Sequence, residues 1–223
     1  MSDLRLVVFD VDGTLVDSQA DILGAMMSAF EAVEIAVPER EDVLGIVGLS
    51  LPEAMERLAP DAPARMREKM VEAYKSSYMQ RRRDAGTQVS SPLYPGAAAA
   101  LARLRAVDEV LLGVATGKSR RGLDKLIEGH GLQGIFVTEQ VADHHPSKPH
   151  PAMLHAAMRE TGVAADASVM IGDTSFDMEM ARAAGMRAIG VSWGYHDRKA
   201  LQAADVVIDR FDDLDRALEQ IWE

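Results

Sequence analysis

Two short acidic clusters carry the strongest chemical signal in the chain. The first is Asp10-Val11-Asp12-Gly13-Thr14, directly after the apolar run Leu4 to Phe9. Alternate side chains of an extended segment share a side, so Asp10 and Asp12 point the same way. The second is Gly172-Asp173-Thr174-Ser175-Phe176-Asp177, after Val169 to Ile171. Taken singly, each cluster also reads as a strand-to-helix turn, with an Asp cap and a glycine free to take positive φ; Asp173 would then be the cap and Asp177 part of the first turn. Two such clusters at the ends of two buried strands need a common cause. If the strands are neighbours, several carboxylates crowd one spot, where like charges are costly without a cation. Oxygen-only ligation suits Mg²⁺, a hard ion that keeps waters and binds substrate phosphate.

Two further pieces complement the acids. Val114-Ala115-Thr116-Gly117 ends an apolar run with a hydroxyl and a flexible backbone N–H, which suit a phosphate oxygen and equally suit a helix N-cap. Lys148 stands between Ser147 and Pro149, ahead of a helix that begins near Pro151. A lysine there can neutralise a phosphate, although isolated lysines are mostly solvent-exposed.

These residues need a scaffold that brings distant segments to one edge, and the hydrophobic pattern supplies it. Apolar runs of strand length recur at Leu4–Phe9, Val110–Ala115, Ile135–Val137, Val169–Ile171, Ala188–Val191 and Val206–Ile208. Segments with helical spacing lie between most of them: Ala97–Arg105, Gly122–Glu128, Ala152–Thr161 and Asp177–Ala184. Strand and helix in alternation predict an α/β, doubly wound, Rossmann-like parallel sheet, whose ligands bind beyond the carboxyl ends of the strands.

Positions 16–91 break the rhythm. Ser18 and Asp21 give a helix start, followed by Ile22, Leu23, Met26, Ala29, Phe30 and Val33 at helical spacing. Ser50, Pro52 and Glu53 repeat the start signal, and a third helix is expected over Asp61–Arg83. Gln88–Gly96, with Pro92 and Pro95, reads as a return linker. The expected division is a core of 1–15 plus 92–223 and a small α-helical insert of 16–91.

Composition narrows the function classes. The chain has 223 residues, 48% of them hydrophobic and 26% charged, as in folded globular proteins. It has no Cys, which excludes disulfides, thiolate metal sites and Cys nucleophiles. With 24 Lys+Arg against 35 Asp+Glu the formal charge is -11, which argues against nucleic acid or an anionic membrane as partner. Met1–Asp10 does not read as a signal peptide, and no apolar run is long enough to span a membrane. A cytoplasmic protein, monomer or homodimer, is expected.

The order of the four pieces, Asp-x-Asp-Gly-Thr, Thr-Gly, Lys-Pro and Gly-Asp-x-x-x-Asp, resembles the haloacid dehalogenase-like hydrolase superfamily across essentially the whole chain. The insert resembles that family's helical cap. Phe9 to Ser18, Tyr94-Pro95-Gly96, Lys148-Pro149-His150-Pro151 and Ile171 to Thr174 are similar to the phosphoglycolate phosphatase-type members. The resemblance implies a Mg²⁺-dependent phosphatase acting on a small phosphorylated metabolite, phosphoglycolate foremost. It implies Asp10 as the nucleophile that forms an aspartyl-phosphate, and Asp12 as the acid and then the base. It implies Asp10, the Asp12 carbonyl and Asp173 as metal ligands, with Asp177 supporting the metal or orienting Lys148. Thr116, Gly117 and Lys148 would bind the phosphoryl group. Gly48-Leu49-Ser50-Leu51 would face substrate, although Ser50 also reads as a helix cap. Lys118 would meet a second anionic group, although it also reads as a surface lysine. Two departures stand out: Gly117 where the family commonly has Asn, and Asp143-His144-His145-Pro146 ahead of the lysine, whose histidines read as surface residues.

Other activities of the superfamily fit less well. Mutases carry a His about twelve residues after the nucleophile, where this chain has Asp21 and Ile22. Haloacid dehalogenases lack the second acid, here Asp12. Phosphonate hydrolases need a Schiff-base lysine early in the insert, but Lys69 and Lys75 lie late. Pyrophosphate remains as an alternative substrate on the same core. A non-enzymatic metal- or partner-binding module would leave Thr116, Lys148 and the spacing unexplained.

Overall fold

The first strand explains the architecture. β1 (Arg5–Phe9) is apolar after its arginine, and every residue from Leu6 to Phe9 is buried. Such a strand has two apolar faces, and both must be covered. Val7 and Phe9 join one hydrophobic cluster, while Leu6 and Val8 join another. In the computed structural model, which describes residues 4–223, β1 lies between β2 (Val110–Thr116) and β4 (Ser168–Gly172). The expectation for Met1–Asp10 therefore falls partly outside the described residues, as does the start of the 1–15 segment.

β3 (Thr138–Val141), β5 (Arg187–Val191) and β6 (Val206–Ile208) complete a six-stranded sheet of order β3-β2-β1-β4-β5-β6, parallel throughout. One face is covered by α6 (Ala97–Arg105), α7 (Arg120–His130) and α10 (Leu214–Trp222), the other by α8 (Ala152–Thr161) and α9 (Ser175–Ala183). The order reverses direction between β1 and β4, so the crevice of this doubly wound sheet lies where both acidic clusters end.

The third strand corrects the sequence reading. The apolar run Ile135–Val137 is not the strand; the ladder occupies Thr138–Val141, and Val137 is 58% exposed. Thr138 and Gln140 are buried although polar, because both bond Glu160 of α8. A strand buried through polar pairs carries no apolar signature.

Between β1 and α6 the chain forms α1 (Gln19–Glu31), α2 (Arg40–Leu44), α3 (Leu51–Leu58), α4 (Ala64–Ala85) and α5 (Thr87–Ser90). The longest helix starts at Ala64, after Pro63, rather than at Asp61. The short α2 has no apolar periodicity long enough to read, and α5 occupies part of the expected return linker. Ile22, Met26, Phe30, Met55 and Met70 are buried in a cluster of the insert's own. The two connections run side by side: Asp17 N–H donates to the Pro92 carbonyl and Tyr94 N–H to that of Leu15, both at 2.9 Å. Among the described residues, no helix is long and apolar enough to cross a membrane.

Candidate active site

The end of β1 delivers Asp10 into the crevice with only 1% of its surface exposed. Its Oδ1 accepts from Lys148 Nζ at 2.6 Å, and Lys148 reaches Asp177 Oδ1 at the same distance. The Lys148 side chain is fully enclosed. Burial alone lowers a lysine pKa, but the two carboxylates more than offset it and hold Lys148 above its ordinary value. Asp177 is fixed from its other side: its Oδ2 accepts from Thr174 N–H at 3.1 Å and Thr174 Oγ at 2.7 Å, forming a capping box at the start of α9. Thr174, not Asp173, is thus the cap.

The Asp173 carboxylate, not spent on capping, is fully buried beside Asp10 and Asp177. It accepts from Thr14 Oγ1 at 3.0 Å and from Tyr195 N–H at 2.8 Å. Carboxylate oxygens of Asp10, Asp173 and Asp177 lie within 4.8 Å of one another, all three buried. Asp10 is pushed up to about 7 by burial, with the charge of Asp177 adding and Lys148 opposing. Burial, then Asp10 and Asp177, hold Asp173 well above the carboxylate range. Asp10 Oδ2 is buried without a partner. Three crowded buried carboxylates, with Asp10 and Asp173 raised in pKa, and an orphan buried oxygen are a donor set that a hard divalent cation satisfies.

Asp12 stands apart from this group. Ser18 Oγ donates to its Oδ1, and Lys118 Nζ lies 2.8 Å from the same oxygen. Lys118 is therefore not a surface lysine: its side chain is 10% exposed, and its ammonium also reaches Tyr78 Oη at 3.2 Å. Ser18 and Ser50 occupy N-cap positions but make no side-chain capping bonds. Ser18 serves Asp12 instead, and the Ser50 N–H donates to Ser147 Oγ at 2.8 Å, docking the insert next to Lys148.

Thr116 is buried at the end of β2, with its Oγ1 accepting from Lys118 N–H at 3.2 Å. Gly117 explains its own departure from the Asn common there. A Cβ at this position would come within 2.7 Å of the carbonyl oxygens of both Gly48 and Leu49. Asp10, Asp12, Thr116, Gly117 and Lys118 all line one cleft of about 730 Å³, whose opposite wall is Ile22, Met26, Leu49, Tyr74 and Tyr78 of the insert. His145 also lines it, half-buried and bonded through Nε2 to Gln140 Oε1 at 2.7 Å, so it is not a free surface residue.

The segment after β5 was not singled out by the sequence motifs, yet it frames the site. Trp193 Nε1 donates to the Thr14 carbonyl at 3.1 Å. Gly194 packs so closely on Asp173 that a Cβ would overlap that side chain. Tyr195 holds Asp173 through its backbone and Ser18 through its hydroxyl. The signal available was the glycine between two aromatics after a buried strand, Trp193-Gly194-Tyr195.

A family model described as haloacid dehalogenase-like hydrolase matches residues 7–191. A probable phosphatase, IndB, of Dickeya dadantii is 35% identical over 94% of this chain and 91% of its own length. A phosphoglycolate phosphatase of Vibrio parahaemolyticus is 30% identical over 95% of each. Among solved structures, a hydrolase from Pseudomonas syringae shares the fold, with a TM-score of 0.85 at 23% identity over 98% of this chain and 100% of that one.

Proposed function

Because the chain belongs to the haloacid dehalogenase-like hydrolases and is a phosphatase of that family, we propose that it hydrolyses a small phosphorylated metabolite with Mg²⁺ and an aspartyl-phosphate on Asp10. The observation that carries this reading is the buried triad of Asp10, Asp173 and Asp177, two of whose members bond Lys148, with Asp10 Oδ2 left unpaired. Asp10, Asp173 and the Asp12 backbone carbonyl would hold the metal, with Asp177 in support by fixing Lys148. Bound there, the cation neutralises carboxylate and phosphoryl charge together.

The chain's own residues divide the remaining work. Asp10 attacks phosphorus and displaces the alcohol oxygen, giving the acyl phosphate. Asp12 protonates that oxygen as it leaves, then takes a proton from the water that hydrolyses the acyl phosphate. Its Oδ1 is engaged by Ser18 and Lys118, which leaves Oδ2 for this exchange. Thr116 and the Gly117 N–H orient the phosphoryl oxygens, and Lys148 offsets their charge. Phosphoryl transfer is served by such in-line positioning and charge neutralisation.

Residues 16–91 act as a cap over a core of 1–15 and 92–223. It excludes water and faces the leaving group with the Gly48–Leu51 loop. Phosphoglycolate is the substrate we propose first, since relatives over nearly the whole length carry that activity in their names. A mutase reading is disfavoured: Ile22 is buried in the insert's core and Asp21 is bonded to Ser90.

The test is release of phosphate from phosphoglycolate and from a generic aryl phosphate, with Mg²⁺ and with excess chelator. Turnover is expected only with the metal. Asp10→Asn is expected to stay folded by circular dichroism and to lose activity by roughly 10³-fold or more. Undiminished turnover in chelator would remove the metal assignment, and substantial activity in Asp10→Asn would remove the nucleophile.

A further inference from the structure

We infer that Tyr195 is a positioning residue for Asp12, acting through the hydroxyl of Ser18 at the junction of core and insert. The inference rests on the phosphatase reading above. The bonding resolves atom by atom. Ser18 N–H donates to Tyr195 Oη at 2.9 Å. Ser18 Oγ donates its proton to Asp12 Oδ1. With that proton committed, the 3.2 Å contact between Ser18 Oγ and Tyr195 Oη has the phenol as donor. The chain of donors thus runs from Tyr195 to Ser18 to Asp12, while the Ser18 backbone closes the ring on the phenol. A phenol keeps its proton at neutral pH, so Tyr195 Oη has one to give.

This arrangement orients a carboxylate. Ser18 and Lys118 both take Oδ1 of Asp12, so the plane of the group is set and Oδ2 is the oxygen presented to the leaving group. Ser18 itself is wholly buried. Without the phenol, Ser18 N–H loses its acceptor and Ser18 Oγ is free to rotate, which loosens one of the two donors on Asp12. Tyr195 is well placed to resist that. Its backbone N–H is fixed on Asp173 Oδ2 at 2.8 Å, and its ring packs among the insert's apolar residues. One residue therefore ties the carboxylate proposed for the metal to the proposed acid and base.

The experiment compares two esters. p-Nitrophenyl phosphate expels a stable phenolate, whereas glycerol phosphate expels an alkoxide that must be protonated. The ratio kcat/KM covers the steps up to departure of the leaving group. In Tyr195→Phe, which keeps the ring, kcat/KM for glycerol phosphate is expected to fall about tenfold further than for the aryl ester. Ser18→Ala should show the same selectivity, and the double variant should be no worse than the poorer single one, because both act on one oxygen. A uniform loss on the two esters, or losses that multiply in the double variant, overturns the inference. Should Tyr195→Phe fail to fold, Ser18→Ala alone decides by the same selectivity. Failure of the unaltered protein to release phosphate from both esters and from phosphoglycolate overturns the proposed reaction and the inference with it; uniform losses in a working enzyme overturn only the inference.

Discussion

Lys148 offsets part of the negative charge crowded at the site. Its ammonium lies 2.6 Å from Asp10 and from Asp177, and no part of the side chain meets solvent. Removing one partner of a buried ion pair leaves an uncompensated charge and costs about 3–5 kcal/mol. Lys148→Met is accordingly expected to lower the free energy of unfolding by about that amount in urea at pH 8, and to abolish turnover. A loss within the range of a surface substitution would show that the carboxylates do not depend on it. Lys148 could be singled out from the sequence only by its order among the other three motifs, since by itself it reads as an exposed lysine; its full burial between two carboxylates needed the fold. Tyr195 could not be singled out at all. Its partner Ser18 lies 177 positions away, and nothing in the type of either residue announces their contact. Lys118 was noticed too, but its burial against Asp12 and Tyr78 needed the fold.

At the scale of elements, the site depends on how closely the insert approaches the strand ends. The loop between α2 and α3 passes over Gly117, with Gly48 and Leu49 carbonyls where a Cβ would stand. The same loop donates Ser50 N–H to Ser147 and packs Leu49 on Phe176 of α9. Gly117→Ala has no room in this arrangement, so the loop must move off. Its expected signature is faster amide exchange over 45–51, a higher KM and a kcat reduced about tenfold, since misplacement of an enclosing loop is costly for catalysis. Unchanged exchange in that loop would show that the close approach is not maintained in solution. The alternation of strands and helices was readable because five of the strands are apolar on two faces. β3 was misplaced because its inward residues Thr138 and Gln140 satisfy themselves on Glu160. The starts of α1 and α3 were readable because Ser18 and Ser50 do stand at the N-caps; what the sequence did not show is that neither side chain caps, since Ser18 Oγ serves Asp12 and the Ser50 N–H bonds Ser147 of the core.

For the whole molecule, the formal charge of -11 is a poor guide to its handling of anions, because the acids that matter are few and buried together. Their effect on the protein is a dependence of stability on pH. Asp10 titrates near 7 in the folded chain, against an ordinary value of 3.8, and Asp173 is raised as well. Between about pH 4 and 7 the folded state therefore binds more protons than the unfolded state. Stability from these groups is present at the acid end of that window and is lost as pH rises through it. A divalent cation that binds only the folded chain acts in the opposite sense, since it replaces the protons and adds RT ln(1 + [L]/Kd). At a hundredfold excess over Kd that is about 2.7 kcal/mol, or roughly 5–10 °C in Tm for a chain of this size. The metal-free protein is thus expected to lose thermal stability from pH 5 to pH 8. MgCl₂ should raise Tm by that margin at pH 8 and by much less at pH 5, where protons compete for the same oxygens. Asp173→Asn should flatten both responses, because it removes one of the crowded charges and one ligand at once. Scanning calorimetry at the two pH values, with and without Mg²⁺, decides the point: an equal metal shift at pH 5 and pH 8 would separate the ion from these carboxylates.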